Sequence, residues 1–173
     1  EVTASHNPID YNGMKLVGRG AAPLDPDGDF AKVAALARSG AFAPADRQGT
    51  TRDFPEARAA YVRAMADFVD IAALRPLTVL VNAGNGTAGP TFDAIADELA
   101  RRGAALRFVR VNHQPDPAFP NGIPNPLLPE NQPMTADAVR AHGADLGVAW
   151  DGDFDRCFFF DETGAFIPGE YIV

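Results

Sequence analysis

The sequence predicts an α/β fold, a mostly parallel (mixed) sheet flanked by helices. Three observations carry this. Apolar runs of strand length at residues 77–81, 106–111 and 144–150 alternate with segments whose apolar residues recur at helical spacing. A strand-helix-strand-helix-strand order implies right-handed crossovers and therefore parallel neighbours. A last apolar run, residues 157–160, follows its neighbour through a short loop and is expected to lie antiparallel.

The elements follow in order. Phe30, Val33, Ala34 and Ala37 have helical spacing, and Gly40 is placed to stop that helix. Residues 41–51 are polar, with Pro44, Gly49 and paired threonines, and read as a linker. Ala57, Ala60, Tyr61, Ala64, Met65 and Phe68 form one face of a longer helix. After the strand at 77–81, Phe92, Ile95, Ala96 and Leu99 mark a helix stopped by Gly103. Residues 113–133 form a long Pro/Asn-rich loop, which is either functional or a packed surface excursion. Thr135 can cap a short helix ending near Gly143. The strand to Trp150, an acidic loop and the strand to Phe160 complete the pattern, with no internal repeat.

Composition bounds the function. A chain of 173 residues holds one domain or one and a fraction, and a 46% hydrophobic share is ordinary for a globular core. No apolar run is long enough to span a membrane and no signal-peptide pattern opens the chain, so a cytoplasmic protein is expected. Fifteen basic against 23 acidic residues give a net charge of −8 and no basic stripe, which argues against nucleic acid. The single cysteine, Cys157, cannot form an internal disulfide and is expected to be a buried thiol. His113 and His142 are expected on the surface or in loops.

The chemistry concentrates in Trp150-Asp151-Gly152-Asp153-Phe154-Asp155-Arg156. Three carboxylates at alternate positions offer hard oxygen donors, which suit Mg²⁺. The guanidinium beside them can fork onto phosphate oxygens. Metal and arginine at one loop point to phosphoryl transfer. Three other readings stand beside this one. The loop can be a solvated acidic turn. It can be an EF-hand, with Asp151, Asp153, Asp155 and Glu162 at positions 1, 3, 5 and 12, although Arg156 sits where that loop needs glycine. It can belong to an aspartate-nucleophile phosphatase, in which Asp151 is itself phosphorylated.

Two further motifs are ambiguous. Thr3-Ala4-Ser5-His6-Asn7-Pro8, followed by Tyr11-Asn12-Gly13-Met14-Lys15, reads on its own as a turn. Adjacent side chains of an extended segment diverge, so Ser5 and His6 are not expected to pair by adjacency. Gly84-Asn85-Gly86-Thr87-Ala88-Gly89 matches the dinucleotide fingerprint Gly-x-Gly-x-x-Gly. The second strand ends in Arg110-Val111-Asn112-His113, with no acid for a ribose until Asp116. A structural tight turn is therefore the reading, with a small anion at the helix N-terminus left open.

Taken in order, the segments 3–8 and 151–156 resemble those of the phosphohexomutase superfamily. Residues 11–15 and Asn121-Gly122-Ile123-Pro124-Asn125-Pro126 are most similar to its bacterial phosphomannomutase branch, and the resemblance runs across nearly the whole chain. It implies that Ser5 is phosphorylated and that Ser5, Asp151, Asp153 and Asp155 hold Mg²⁺ as cofactor. It implies Ser5, His6, Lys15 and Arg156 as the catalytic set, with Lys15 as general acid/base. Many members have glycine where this chain has Phe154. The implied reaction moves phosphate between C6 and C1 of mannose or glucose phosphate through a phosphoserine and a hexose 1,6-bisphosphate. The implied domains are 1–49 (end of domain 1, with the serine loop), 50–165 (domain 2, with the metal loop) and 166–173 (start of domain 3). The chain is then expected to be an internal piece of a longer enzyme, inactive alone, with the remaining domains as partners. The family's Gly-Glu-x-Ser sugar loop is not matched by Gly169-Glu170-Tyr171. A nucleotide-binding α/β domain and the aspartate-nucleophile phosphatase remain the alternatives.

Overall fold

The computed structural model describes residues 1–172. Val173, last residue of the segment expected to open a third domain, lies outside the described residues. The chain divides into two units, one of residues 1–3 with 12–54 and the other of residues 4–11 with 55 onward.

In the first unit, α1 (Asp29–Ser39) ends as its sequence requires. Gly40 takes a left-handed conformation at φ 64, and its N–H donates to the Leu36 carbonyl at 3.0 Å. Lys15 lies opposite Glu1: its N–H donates to the Glu1 carbonyl at 2.9 Å, and its Nζ is 3.9 Å from Glu1 Oε2.

The second unit carries the sheet, built from β1 (Leu77–Asn82), β2 (Leu106–Val111), β3 (Leu146–Trp150), β4 (Cys157–Phe160) and β5 (Phe166–Ile167). The strand order is β2-β1-β3-β4-β5. β1 is parallel to both β2 and β3; β4 and β5 are antiparallel to their neighbours. The first crossover, through α3 (Ala88–Arg101), carries the chain to one side of β1. The second, through α4 (Gln132–His142), carries it to the other. Winding therefore reverses between β1 and β3. That leaves a crevice at their carboxyl ends, where open α/β sheets place their sites.

Side-chain alternation sorts the core onto two faces. Val79 and Val81 pack with Phe92 and Ala96 of α3, and with Val148 and Trp150 of β3. Leu80, one position out of phase, packs with Ala136 and Val139 of α4 and with Phe160. Phe92 meets Phe108 edge-on at 4.9 Å and Trp150 at 5.0 Å, which ties α3 to β2 and β3. α2 (Glu56–Asp67) lies along α3, joined by Arg102 to Asp67 and to Glu98, both at 2.7 Å.

Three details differ from the sequence reading. α4 begins at Gln132, with Pro133 in its first turn where a missing N–H costs nothing. Thr135 is therefore inside the helix, buried, its Oγ1 accepting from Asn82 Nδ2 at 2.9 Å. β5 was not expected; it is two residues long and carries no periodic signal. Cys157 is exposed, because the first residue of β4 lies at the open end of the strand beside the acidic loop. His113 lies in a loop, one of the two expected settings, with Nε2 2.9 Å from Asp93 Oδ2 and its ring edge-on to Phe92. Among the described residues no helix is long and apolar enough to cross a membrane.

Two outcomes follow. Leu80→Ala should destabilise the second unit by about 2–5 kcal/mol in urea unfolding, since Leu80 is fully buried between α4 and the sheet. Hydrogen bonds from Arg101 and Arg102 push the Glu98 carboxyl from 4.5 down to about 2. A depressed carboxyl contributes stability above its unfolded value and loses it as pH falls through the folded one. Glu98→Gln should therefore be less stable than the parent at neutral pH. The gap should narrow below pH 4.5 and close near pH 2; an unchanged gap there would exclude ion pairing as its cause.

Candidate functional site

Two loops meet at the end of β3, and both lie within the second unit. β3 delivers Asp151, which is fully buried, and the chain then turns back into β4. Arg156 closes this loop around the carboxylate. Its backbone N–H donates to Asp151 Oδ1 at 3.1 Å, its Nε to Oδ2 at 2.7 Å, and its Nη2 lies 2.6 Å from Oδ2. Both side-chain nitrogens meet the same oxygen, Oδ2, and such charge-assisted contacts are stronger than neutral ones. Asp155 lies 3.5 Å from the same Nε.

Asp151, Asp153 and Asp155 each offer an oxygen within 4.8 Å of the others. At that spacing each like-charge pair repels by about 3–4 kcal/mol at an effective dielectric of 20. Burial pushes the Asp151 carboxyl above the ordinary range; the backbone and guanidinium of Arg156 oppose this, and the Asp153 charge adds to it. The Arg156 guanidinium meets Asp151 and Asp155 of this cluster. A small divalent cation with a preference for oxygen suits that donor set. The flanking elements are the paired strands β3 and β4, and Glu162 sits in an exposed turn beyond β4, so an EF-hand is excluded.

The serine loop reaches the same point from the far end of the chain. Ser5 Oγ is 3.5 Å from Asp153 Oδ1, across 148 residues, and accepts from Arg156 Nη2 at 3.1 Å. Ser5 Oγ also lies 3.1 Å from His6 Nδ1, so the two neighbours converge. The expectation of divergence assumed extended backbone, whereas Ser5 is left-handed at φ 55 and curls its side chain onto the next residue. Arg156 Nη2 also contacts His6 Nδ1. A guanidinium only donates, so Nδ1 accepts and the His6 proton resides on Nε2.

Phe154 is left-handed as well, at φ 68. That costs a non-glycine residue roughly 1–2 kcal/mol. Its ring meets Trp150 edge-on at 5.2 Å, a contact worth about 0.5–1.5 kcal/mol, which offsets much of the strain. Phenylalanine thus serves at a turn where glycine would be unstrained.

The glycine motif after β1 is filled by the protein's own backbone. A Cβ on Gly86 would lie 2.6 Å from the Gly152 carbonyl oxygen, and one on Gly152 would overlap the Ser5 carbonyl. The Thr87 N–H, at the mouth of α3, donates to the Gly152 carbonyl at 3.0 Å. The turn is structural, as its missing acid suggests, and the N–H of the N-cap residue Thr87 serves the Gly152 peptide. Sequence reasoning missed Gly86, Thr87 and Gly152 as parts of the site. Their signal was present only as two short glycine turns after neighbouring strands.

The structure thus brings together Ser5, His6, Asp151, Asp153, Asp155 and Arg156, while Lys15 belongs to the first unit.

Comparison with known proteins bears on this geometry. Residues 59–164 match the model for the phosphoglucomutase/phosphomannomutase alpha/beta/alpha domain II, and residues 1–42 match that for domain I. A phosphomannomutase of Salmonella typhimurium is 51% identical over the whole chain, and a protein named phosphohexose mutases from Xanthomonas campestris is 53% identical over 99% of it. The chain spans 38% and 37% of their respective lengths. The crystal structure of a phosphoglucomutase/phosphomannomutase family protein from Burkholderia thailandensis superposes with a TM-score of 0.80 at 32% identity, covering 98% of this chain and 34% of that one. A match of domain II across most of the chain, with the serine and acidic loops where domains I and II are matched, places this chain in the phosphoglucomutase/phosphomannomutase family.

Proposed function

We propose that this chain carries the serine and metal loops of a Mg²⁺-dependent phosphohexomutase. Residues 1–49 are read as the end of the family's domain I, 50–165 as domain II, and 166 onward as the start of a third domain. The substrate is mannose or glucose phosphate, the intermediate a hexose 1,6-bisphosphate, and the partners are the domains that supply the rest of the site. The observation that carries the reading is the delivery of Ser5 Oγ to 3.5 Å from Asp153 and 3.1 Å from Arg156. A hydroxyl held between a carboxylate cluster and a guanidinium is placed to carry a phosphoryl group.

In the proposed step a sugar hydroxyl oxygen bonds to the phosphorus of phosphorylated Ser5 as the bond to Ser5 Oγ breaks. By the family resemblance Lys15, as its neutral amine, would take the hydroxyl proton, and Ser5 Oγ would regain a proton from water. Arg156 donates to the oxygen that gains negative charge, a role its fixed hold on Asp151 prepares. His6, accepting at Nδ1, orients that guanidinium and the serine side chain. Mg²⁺ held by Asp151, Asp153 and Asp155 would neutralise charge on the transferring phosphoryl oxygens. The reverse transfer from the other position of the bisphosphate restores the phosphoserine and completes the exchange between C1 and C6.

Incubating the full-length enzyme with ³²P-labelled glucose 1,6-bisphosphate should label Ser5. Ser5→Ala should abolish the label and lower turnover by roughly 10³-fold or more. A hydroxylamine-labile label on Asp151, with Ser5→Ala still active, would make Asp151 the nucleophile instead. The metal reading is tested separately by calorimetry. Asp153→Asn should weaken Mg²⁺ binding by at least about tenfold, since it removes one of three charged donors; unchanged affinity would place the ion elsewhere.

A further inference from the structure

Three strands of backbone from distant parts of the sequence are stacked without side chains between them. Gly86 lies under Gly152, and Gly152 lies under Ser5. A Cβ on Gly86 would stand 2.6 Å from the Gly152 carbonyl oxygen and 3.0 Å from its Cα. Both are main-chain atoms, so neither can swing aside as a side chain would. A Cβ on Gly152 would in turn overlap the Ser5 carbonyl. Displacement at the bottom of the stack is therefore transmitted to the top.

The Gly152 peptide is held from below as well as touched. Its carbonyl accepts from the Thr87 N–H at 3.0 Å and from Thr87 Oγ1 at 3.3 Å. The turn that supplies these donors is itself clamped. Asn85, left-handed at φ 59, donates its N–H to the Asn112 carbonyl at 2.7 Å and accepts at its own carbonyl from Asp116 N–H at 2.8 Å. Its side chain donates to the Gln114 carbonyl and accepts from Asn121, both at 2.9 Å. Every polar group of Asn85 is thus engaged by the long loop after β2. The Pro/Asn-rich loop holds the turn, the turn holds Gly152, and Gly152 stands between Asp151 and Asp153.

We propose that Gly86 and Thr87 are positioning residues: they seat the Gly152 peptide and so set the stance of Asp151 and Asp153 toward Ser5. The proposal rests on the metal-assisted phosphoryl-transfer reading above. Such a seat matters because reacting groups displaced by about 1 Å can lose 10²-fold in rate. A seat that served folding alone would influence metal affinity only through stability.

The test uses full-length protein and three readouts: Mn²⁺ affinity by electron paramagnetic resonance, exchange of the Thr87 amide without metal, and kcat against KM. Gly86→Ala should weaken Mn²⁺ binding about tenfold, speed Thr87 exchange, and lower kcat about 10²-fold with KM within about twofold. Ala94→Gly, in the middle of α3 and away from the seat, serves as the stability control. It should lower the melting temperature while leaving Mn²⁺ affinity intact. Wild-type Mn²⁺ affinity in Gly86→Ala, or equal weakening in Ala94→Gly, would overturn the proposal. If Gly86→Ala does not fold, Thr87→Val and Thr87→Ser decide the matter. Val should weaken Mn²⁺ binding and Ser should restore it, and equal affinities would count against the seat. A wild-type enzyme without mutase activity would sink the phosphohexomutase reading alone, because the Mn²⁺ and exchange comparisons do not depend on turnover.

Discussion

Asp151 is a carboxylate shut away from water, and the rest of the site is arranged around that fact. An ion of this kind keeps its charge only when opposite charge and hydrogen bonds replace its lost hydration. Arg156 supplies both, through its backbone N–H and its side chain. The same guanidinium is then committed in place, and its Nη2, which also meets Asp151, reaches Ser5 and His6. Asp153 and Asp155 bring two more carboxylates to the same point. The chemistry of the site grows from this cluster of hard oxygen donors, which suits a small divalent cation.

The sheet topology decides where this cluster falls. Reversal of winding between β1 and β3 leaves two short turns side by side at the carboxyl ends of neighbouring parallel strands. Each turn carries glycine where the other approaches it, so main chain meets main chain directly. This is a stiff way to build a site. Side chains hop between rotamers, whereas stacked peptides move only if whole turns move. The strained residues fit the same logic: Ser5 and Phe154 hold left-handed conformations that aim a hydroxyl at the carboxylates and a ring at Trp150.

Much of this was legible in the residues. The periodicities at 30–37, 57–68 and 92–99 foretold α1, α2 and α3, and the apolar runs foretold β1 to β4 with the sense of the last pairing. These signals are local, since burial on one face of an element imposes a period on its own sequence. The absence of an acid after β2 likewise told against nucleotide binding at the glycine turn. Thr135 and Cys157 were misread for a common reason: each depends on a partner or an opening supplied by another element. Asn82 reaches Thr135, and the open end of β4 exposes Cys157.

The sequence by itself determined the helices α1 to α4, the strands β1 to β4, their order and the donor types: three alternating carboxylates, an arginine beside them and a serine loop far away. Only the tertiary structure decided that these meet. Chain separation hides proximity, and Ser5 lies 148 positions from Asp153 yet 3.5 Å from it. Only the tertiary structure decided, too, that Ser5 and His6 converge and that Gly86 carries Gly152. A left-handed residue or a glycine marks a place where the backbone is free to do something unusual. What it does there is set by the neighbour it meets, and neighbours are chosen by the folding of the sheet.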